Sequence, residues 1–406
     1  MYLIFAWRYF KGKKSANAIN IISWVTTGVI AFATCCQILV LSVFNGFEDL
    51  VKSLYSSFYS DLKIVPAKGK TFVLTAAQLS QIGQQPGIQH YSLLAEEKAM
   101  LKNEDAQAVV YIKGVDDNFA KVSGVPDKLI KGKFSTGNTD DPNIIVGVGI
   151  QNATGIMLND AFAPEKLTVI LPKKNVAGND PFQSLSEGNV TAGAVFAIQQ
   201  DFDNKYAITN IGFIKRQMGL AADEYTGAEV KLKYGADIKE SQASLQKMLG
   251  TNYNVQTKYQ QNSNLYSTMR LEKWAIYAVL TLILIIAAFN MVSALTMLVL
   301  EKKQDIGILQ SMGSTSAQIK KIFLTEGILL AGIGAALGII LATVICLLQV
   351  KFKLIKLQGG SFLIDYFPVK LIATDFLLVA GTSMAIALLA SWFPASKAAK
   401  QPLELR

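Results

Sequence analysis

Four stretches of this 406-residue chain contain no Asp, Glu, Lys or Arg. They are Ser15–Phe47, Trp274–Leu300, Gly327–Val350 and Phe376–Ser396, with lengths of 33, 27, 24 and 21 residues. An α-helix rises about 1.5 Å per residue, so about 20 apolar residues cross the hydrocarbon core of a bilayer. Every run reaches that length, and all exceed the roughly 10–14 residues expected of a buried helix in a soluble protein. The spacing predicts four transmembrane α-helices, at 21–47, 274–300, 327–350 and 376–396. A transmembrane β-barrel is excluded because its strands are short and alternate in polarity. Charged residues make up 17% of the chain, against about 25% in soluble domains, which excludes a fully soluble enzyme or a disordered chain.

Between the first two runs lies Glu48–Lys273, long enough for one large domain or two small ones. It carries 24 Lys and Arg against 24 Asp and Glu, so it is neutral, and the net +9 belongs to the remainder. Nucleic-acid binding needs a concentrated basic face, and none is expected here. The chain's three cysteines, Cys35, Cys36 and Cys346, all fall in the apolar runs. The large domain therefore has no disulfide and depends on its own core.

Four spans place residues 1–20, the loop Glu301–Glu326 and the tail Lys397–Arg406 on one side. These segments hold eleven cations and four acids, and the positive-inside rule puts them in the cytoplasm. The loop Lys351–Asp375, on the other side, runs against the rule with four Lys and two Asp. The N-terminal flank of the first span decides orientation, with four cations and no acid. The Glu48–Lys273 domain is thereby extracytoplasmic. Tyr2–Lys11, aromatic and basic, reads as an interfacial helix on the cytoplasmic leaflet. The apolar run continues ten residues past Cys35, too far for a cleaved signal peptide.

The large domain mixes strands and helices, which predicts an α+β fold. Expected strands are Leu62–Val65, Lys166–Leu171, Gly193–Gln199, Glu229–Lys233 and Asn252–Thr257, with a hairpin of Ala95–Leu101 and Gln107–Gly114. Expected helices are Thr75–Gln84 with Thr75 as its cap, Ile144–Gly155, Asp237–Leu249, and a helix from Tyr259 into the second span. Pro172–Thr191 reads as a long polar loop.

Catalytic patterns are missing. His90 is the sole histidine, so a histidine-pair zinc motif is excluded. Gly69-Lys70-Thr71 resembles the end of a phosphate-binding loop, but position 64 is Ile where that motif requires Gly. The chain is expected to bind no cofactor and to be no enzyme. Membrane work without an energy source of its own implies a partner.

The loop Glu301–Glu326 is the most informative segment. Ile306, Leu309 and Met312, with Ile308 alongside, fall at helical spacing, and Gly313 ends the helix. Ser314 is placed to cap the helix that follows. Such a helix lies on lipid or docks into the groove of a soluble partner, and physics alone leaves both readings open.

Several segments resemble a known family. Ile22-Ser-Trp24 and Leu39-Val-Leu-Ser-Val-Phe-Asn-Gly-Phe-Glu48 are similar to the first span of the lipoprotein-releasing permeases (LolC/LolE). Glu301, Asp305-Ile-Gly-Ile-Leu-Gln-Ser-Met-Gly313 and Phe323-Leu-Thr-Glu-Gly327 resemble the coupling helix and third span of the wider MacB/FtsX superfamily. Trp392-Phe-Pro-Ala-Ser-Lys-Ala-Ala-Lys-Gln-Pro-Leu-Glu404 resembles its terminal motif. The resemblance covers the whole chain and implies an inner-membrane ABC transporter in which two permease subunits pair with two copies of a cytosolic ATPase. The second permease would be another copy of this chain or a paralogue. ATP and Mg would be bound by the ATPase. Lipoproteins would pass from the membrane to a periplasmic carrier gripped by a hook-shaped loop. By position the hook would be Lys173–Gly188, with Lys173, Lys174, Asp180, Pro181 and Phe182 as candidate contacts. Asp305, Ile306, Ile308, Leu309, Met312 and Gly313 would couple the ATPase.

Val40, Phe44 and Phe47 follow i, i+4, i+7 spacing on the first span, with Val43 beside them. Such a wall suits acyl chains, since each buried methylene contributes about 0.8 kcal/mol. Plain lipid contact explains the same pattern. The rows Gly327, Ala331, Ala335 and Gly334, Gly338, Ala342 read as close helix packing. Two other functions fit the same architecture: an exporter of peptides or small molecules, and a permease that signals to an extracytoplasmic enzyme.

Overall fold

The computed structural model describes residues 17–158, 165–174, 184–357 and 366–400. The interfacial N-terminal segment, most of the tail, and Asp180, Pro181 and Phe182 lie outside these residues. The chain divides into two compact units, a helical bundle and an α+β domain spanning Val51–Tyr266.

Among the described residues the bundle holds four helices long and apolar enough to cross a membrane. They are Asn17–Phe58, Ser263–Glu301, Ser316–Phe352 and Ala373–Ala399. The first continues without interruption into the α+β domain. The second does not continue from Tyr259, as the sequence predicted. A one-turn helix, Lys258–Gln261, is capped by Thr257, and the chain breaks at Asn262 before Ser263. Ile30, Met291, Leu295, Leu330, Ala331 and Ala387 bring all four helices into one apolar cluster. A Cβ on Gly338 would stand 2.4 Å from the Ala31 carbonyl oxygen, so the first and third helices cross where no larger residue fits. The glycine row expected to pack does so.

Among the described residues the α+β domain contains twelve strands: β1 Leu62–Pro66, β2 Phe72–Val73, β3 Ile88–Asn103, β4 Ala106–Val115, β5 Leu129–Gly132, β6 Asn143–Gly147, β7 Lys166–Pro172, β8 Leu185–Phe196, β9 Tyr206–Asn210, β10 Glu224–Tyr225, β11 Gly227–Leu232 and β12 Tyr253–Thr257. Six close into a barrel, because β3 pairs β4, β4 pairs β9, β9 pairs β6, β6 pairs β8, β8 pairs β7, and β7 returns to β3. The 16-residue β3 makes this possible. Its first half pairs β11 in the sheet β12–β1–β11–β3, and its second half pairs β7 in the barrel. On β7, Leu167, Val169 and Leu171 are buried between exposed or half-buried neighbours, the period of two that marks one inward face. They join Val110, Ile112, Ile144, Val146, Val190, Phe213 and Ile214 in the barrel core.

Two expectations are corrected here. Ile144–Gly155 is a strand to Gly147 and a helix only over Val148–Thr154. Within Pro172–Thr191, the residues from Leu185 onward are strand rather than loop, since β8 begins at Leu185 and pairs β7 back to Pro172. Its polar residues occupy the outward positions of that ladder.

The outer edge of β12 is closed by side chains of the helix Ile238–Leu249. The Val255 N–H donates to Gln246 Oε1 at 2.9 Å, and Gln242 Nε2 donates to the Val255 carbonyl at 2.7 Å. Gln246 Nε2 also donates to the Tyr253 carbonyl at 2.8 Å.

Candidate functional site

At the end of the bundle where the second and third helices connect, a short helix covers Lys303–Ser311. Asp305 lies in its first turn, where the exposed N–H groups favour a carboxylate, and accepts from Lys302 Nζ at 2.9 Å. The sequence put Ile306, Leu309 and Met312 on one outward face, but the structure divides them. Ile306 is 2% exposed and packs among Leu298, Val299, Ile319, Phe323, Ala395 and Ala398. Leu309 is half-buried, whereas Ile308 and Met312, one turn apart, are exposed, Met312 at 79%. The helix folds back on the last turns of the fourth helix, which takes Ile306 as a core residue. Gly313 turns the chain at φ +91°, where glycine is at ease. Thr315, not Ser314, caps the next helix, in a capping box with Gln318.

At the opposite end, Val40 is exposed, Val43 and Phe44 are half-buried, and Phe47 meets Phe367 edge-on with ring centroids 5.8 Å apart. Beside this wall stands a cluster absent from the sequence reading. Buried Asn45 donates from Nδ2 to Asp375 Oδ2 at 2.6 Å. Lys273 Nζ donates to Asn45 Oδ1 at 2.8 Å and to both Asp375 oxygens at 3.3 Å. Three helices are thus tied through one ion pair and one amide. Asp375 occupies the first turn of the fourth helix. Next to it, a Cβ on Gly46 would lie 2.3 Å from the Pro368 carbonyl oxygen, so Asn45-Gly46 combines a polar tie with a close backbone approach. The Lys370 N–H donates to the Ser42 carbonyl at 2.9 Å, and its ammonium pairs with Asp49. One signal for this cluster existed. Lys273 and Asp375, opposite in sign, are the residues immediately before two charge-free runs.

Lys173 and Lys174 sit at the open end of the β7–β8 ladder. The Lys173 N–H donates to the Ser184 carbonyl at 2.8 Å and the Lys174 N–H to the Met218 carbonyl at 3.0 Å. Lys174 also pairs with Glu224. Of the segment expected to be a hook, Leu185–Gly188 belongs to β8, and residues 175–183 lie outside the described residues.

Inside the α+β domain, Lys113 Nζ lies 2.6 Å from Glu229 Oε1, with side chains 2% and 0% exposed. The ammonium also stands 4.9 Å from the ring centroid of Phe58 and 5.2 Å from that of Phe119. Phe58 stacks on Phe202 at 4.4 Å, so the end of the first helix is built into this core. Lys63 and Glu96 pair nearby at 3.3 Å. Burial opposes charge on both, but their attraction prevails, reinforced by Glu229 for the lysine and Lys113 for the carboxylate. Lys63 is held above its ordinary pKa and Glu96 below.

A transmembrane bundle with an α+β domain inserted after its first helix is the architecture of an ABC-transporter permease subunit, and residues 277–403 match the FtsX-like permease C-terminal family. The lipoprotein-releasing system transmembrane protein LolE of Haemophilus influenzae is 26% identical, over 98% of this chain and 97% of that one. LolC of Neisseria meningitidis is 28% identical, over 100% and 99%. The pyoverdine export ATP-binding/permease protein PvdT of Pseudomonas putida is 21% identical, over 84% of this chain but 51% of its own length. Over its whole length the chain is similar to the LolC and LolE lipoprotein-releasing transmembrane proteins, and its C-terminal part matches the FtsX-like permeases.

Proposed function

We propose that the chain extracts lipoproteins from the inner membrane and hands them to a periplasmic carrier, driven by a separate cytosolic ATPase. The supporting observation is end-to-end similarity to two lipoprotein-releasing proteins, while the pyoverdine exporter matches over only half its length. On this reading the ATPase is present in two copies and holds ATP and Mg, and a second permease, a copy or a paralogue, completes the membrane part. On this reading both termini are cytoplasmic, an orientation supported by the basic excess at the Lys303–Ser311 end.

Ile308 and Met312 then enter an apolar groove of the ATPase, with Leu309 at its margin, while Ile306 fixes the short helix to the bundle. Val40, Val43, Phe44 and Phe47 offer acyl chains a surface as apolar as the one they leave. The segment between β7 and β8, which includes Lys173, Lys174, Asp180, Pro181 and Phe182, grips the carrier. The test is reconstitution of chain, ATPase, second permease and carrier with a labelled lipoprotein. Ile308→Asp with Met312→Asp should abolish ATP-driven release, since an apolar groove accepts buried carboxylates only at several kcal/mol. Membrane insertion should be unchanged. Undiminished release by this variant would sink the coupling assignment, and ATP hydrolysis without release by the unaltered complex would sink the lipoprotein reading.

A further inference from the structure

We propose that the turn after the third helix, Lys351–Lys356, is a binding surface for anionic phospholipid headgroups of the outer leaflet. The leaflet follows from the orientation proposed above. Lys351, Lys353 and Lys356 alternate with Phe352, Leu354 and Ile355, and all six residues are exposed, Leu354 at 67%. No acidic residue occurs between Glu326 and Asp365, and among the described residues none of these three lysines has an ion-pair partner. The charge-free run ends at Val350, so the three ammonium groups begin at the depth where a bilayer places its phosphates. The intervening apolar side chains suit the boundary just beneath.

The turn is also built to hold its shape. Gln349, buried, donates from Nε2 to the carbonyls of Ile355 and Phe367 at 3.0 and 3.2 Å and accepts from the Ile355 N–H at 2.9 Å. Lys353 caps the helix in the left-handed region at φ +50°, a position glycine usually fills. A lysine there accepts backbone strain and retains an ammonium, which rests 4.1 Å from the ring centroid of Tyr366. This basic loop opposes the positive-inside rule, and a phosphate surface accounts for its charge.

The experiment is native mass spectrometry of the full chain with phosphatidylglycerol or phosphatidylethanolamine of equal acyl composition. The unaltered chain should retain phosphatidylglycerol preferentially. Lys351→Gln/Lys353→Gln/Lys356→Gln should lower that retention on the order of a hundredfold, since each lysine near an anionic surface contributes roughly fivefold. The corresponding triple Arg variant should keep it. Equal retention by the Gln variant would overturn the proposal, as would displacement of the lipid by inorganic phosphate. Leu354→Cys, probed in spheroplasts with a membrane-impermeant maleimide, tests the leaflet separately. Labelling supports it, and protection would overturn the leaflet assignment and the proposed orientation together.

Discussion

Two ion pairs hold this molecule in different ways. Lys113–Glu229 is sealed in the α+β core, flanked by Phe58 and Phe119, with Glu229 Oε2 lacking a hydrogen-bond partner among the described residues. Lys273–Asp375, at one end of the bundle, keeps partial contact with solvent and shares its atoms with Asn45. The first has no exit to water: beyond each other and the attraction of the neighbouring Lys63–Glu96 pair, its charges face a large desolvation cost. The second can exchange protein partners for water, so it ties three helices without fixing them permanently. Strength and adjustability are thus assigned to different units by burial alone.

Breaking the sealed pair should have the largest effect. Lys113→Met leaves a buried carboxylate unpaired and should destabilise the α+β domain by about 3–5 kcal/mol, read as thermal unfolding of the purified chain. Lys113→Met/Glu229→Leu should recover most of that, because an apolar pair of similar volume avoids the desolvation cost. A single variant as stable as the parent would contradict the contrast. A smaller loss, about 1–3 kcal/mol, is expected for Asp375→Leu, since Lys273 retains access to water. High salt should weaken the parent's bundle cluster and leave the sealed pair unaffected. Equal salt sensitivity in both would make the two pairs alike.

The smallest expected effect concerns Lys63–Glu96, intermediate in exposure. Folding lowers the Glu96 pKa, so its contribution is present above the unfolded value near 4.5 and is lost as pH falls through the folded value. Glu96→Gln should flatten the acid side of the stability profile and leave the neutral plateau of similar slope. An unchanged acid limb would remove Glu96 from the account.

Much of the architecture was legible because charge-free length is a one-dimensional property. Helix starts with a strong local cap, such as Thr75 and Asp237, were legible for the same reason. Ile144–Gly155 was misread because a short apolar run followed by a helix has no distinguishing period. The strand β8 was hidden because Ser186, Glu187 and Asn189 look like loop residues until β7 pairs with them. At the site, the spacing of Ile306 and Met312 was visible. Their opposite fates were not, because they depend on where the end of the fourth helix lies.

The glutamine-covered edge of β12 has a consequence for life at a surface. Chains anchored in a bilayer meet their copies in two dimensions, at high local density and in repeated orientations. An open strand there would invite cross-chain ladders and aggregation. With Val255 already bonded on both its N–H and its carbonyl, that route is closed, and any protein that seizes the domain along this edge must recognise side chains rather than extend the sheet.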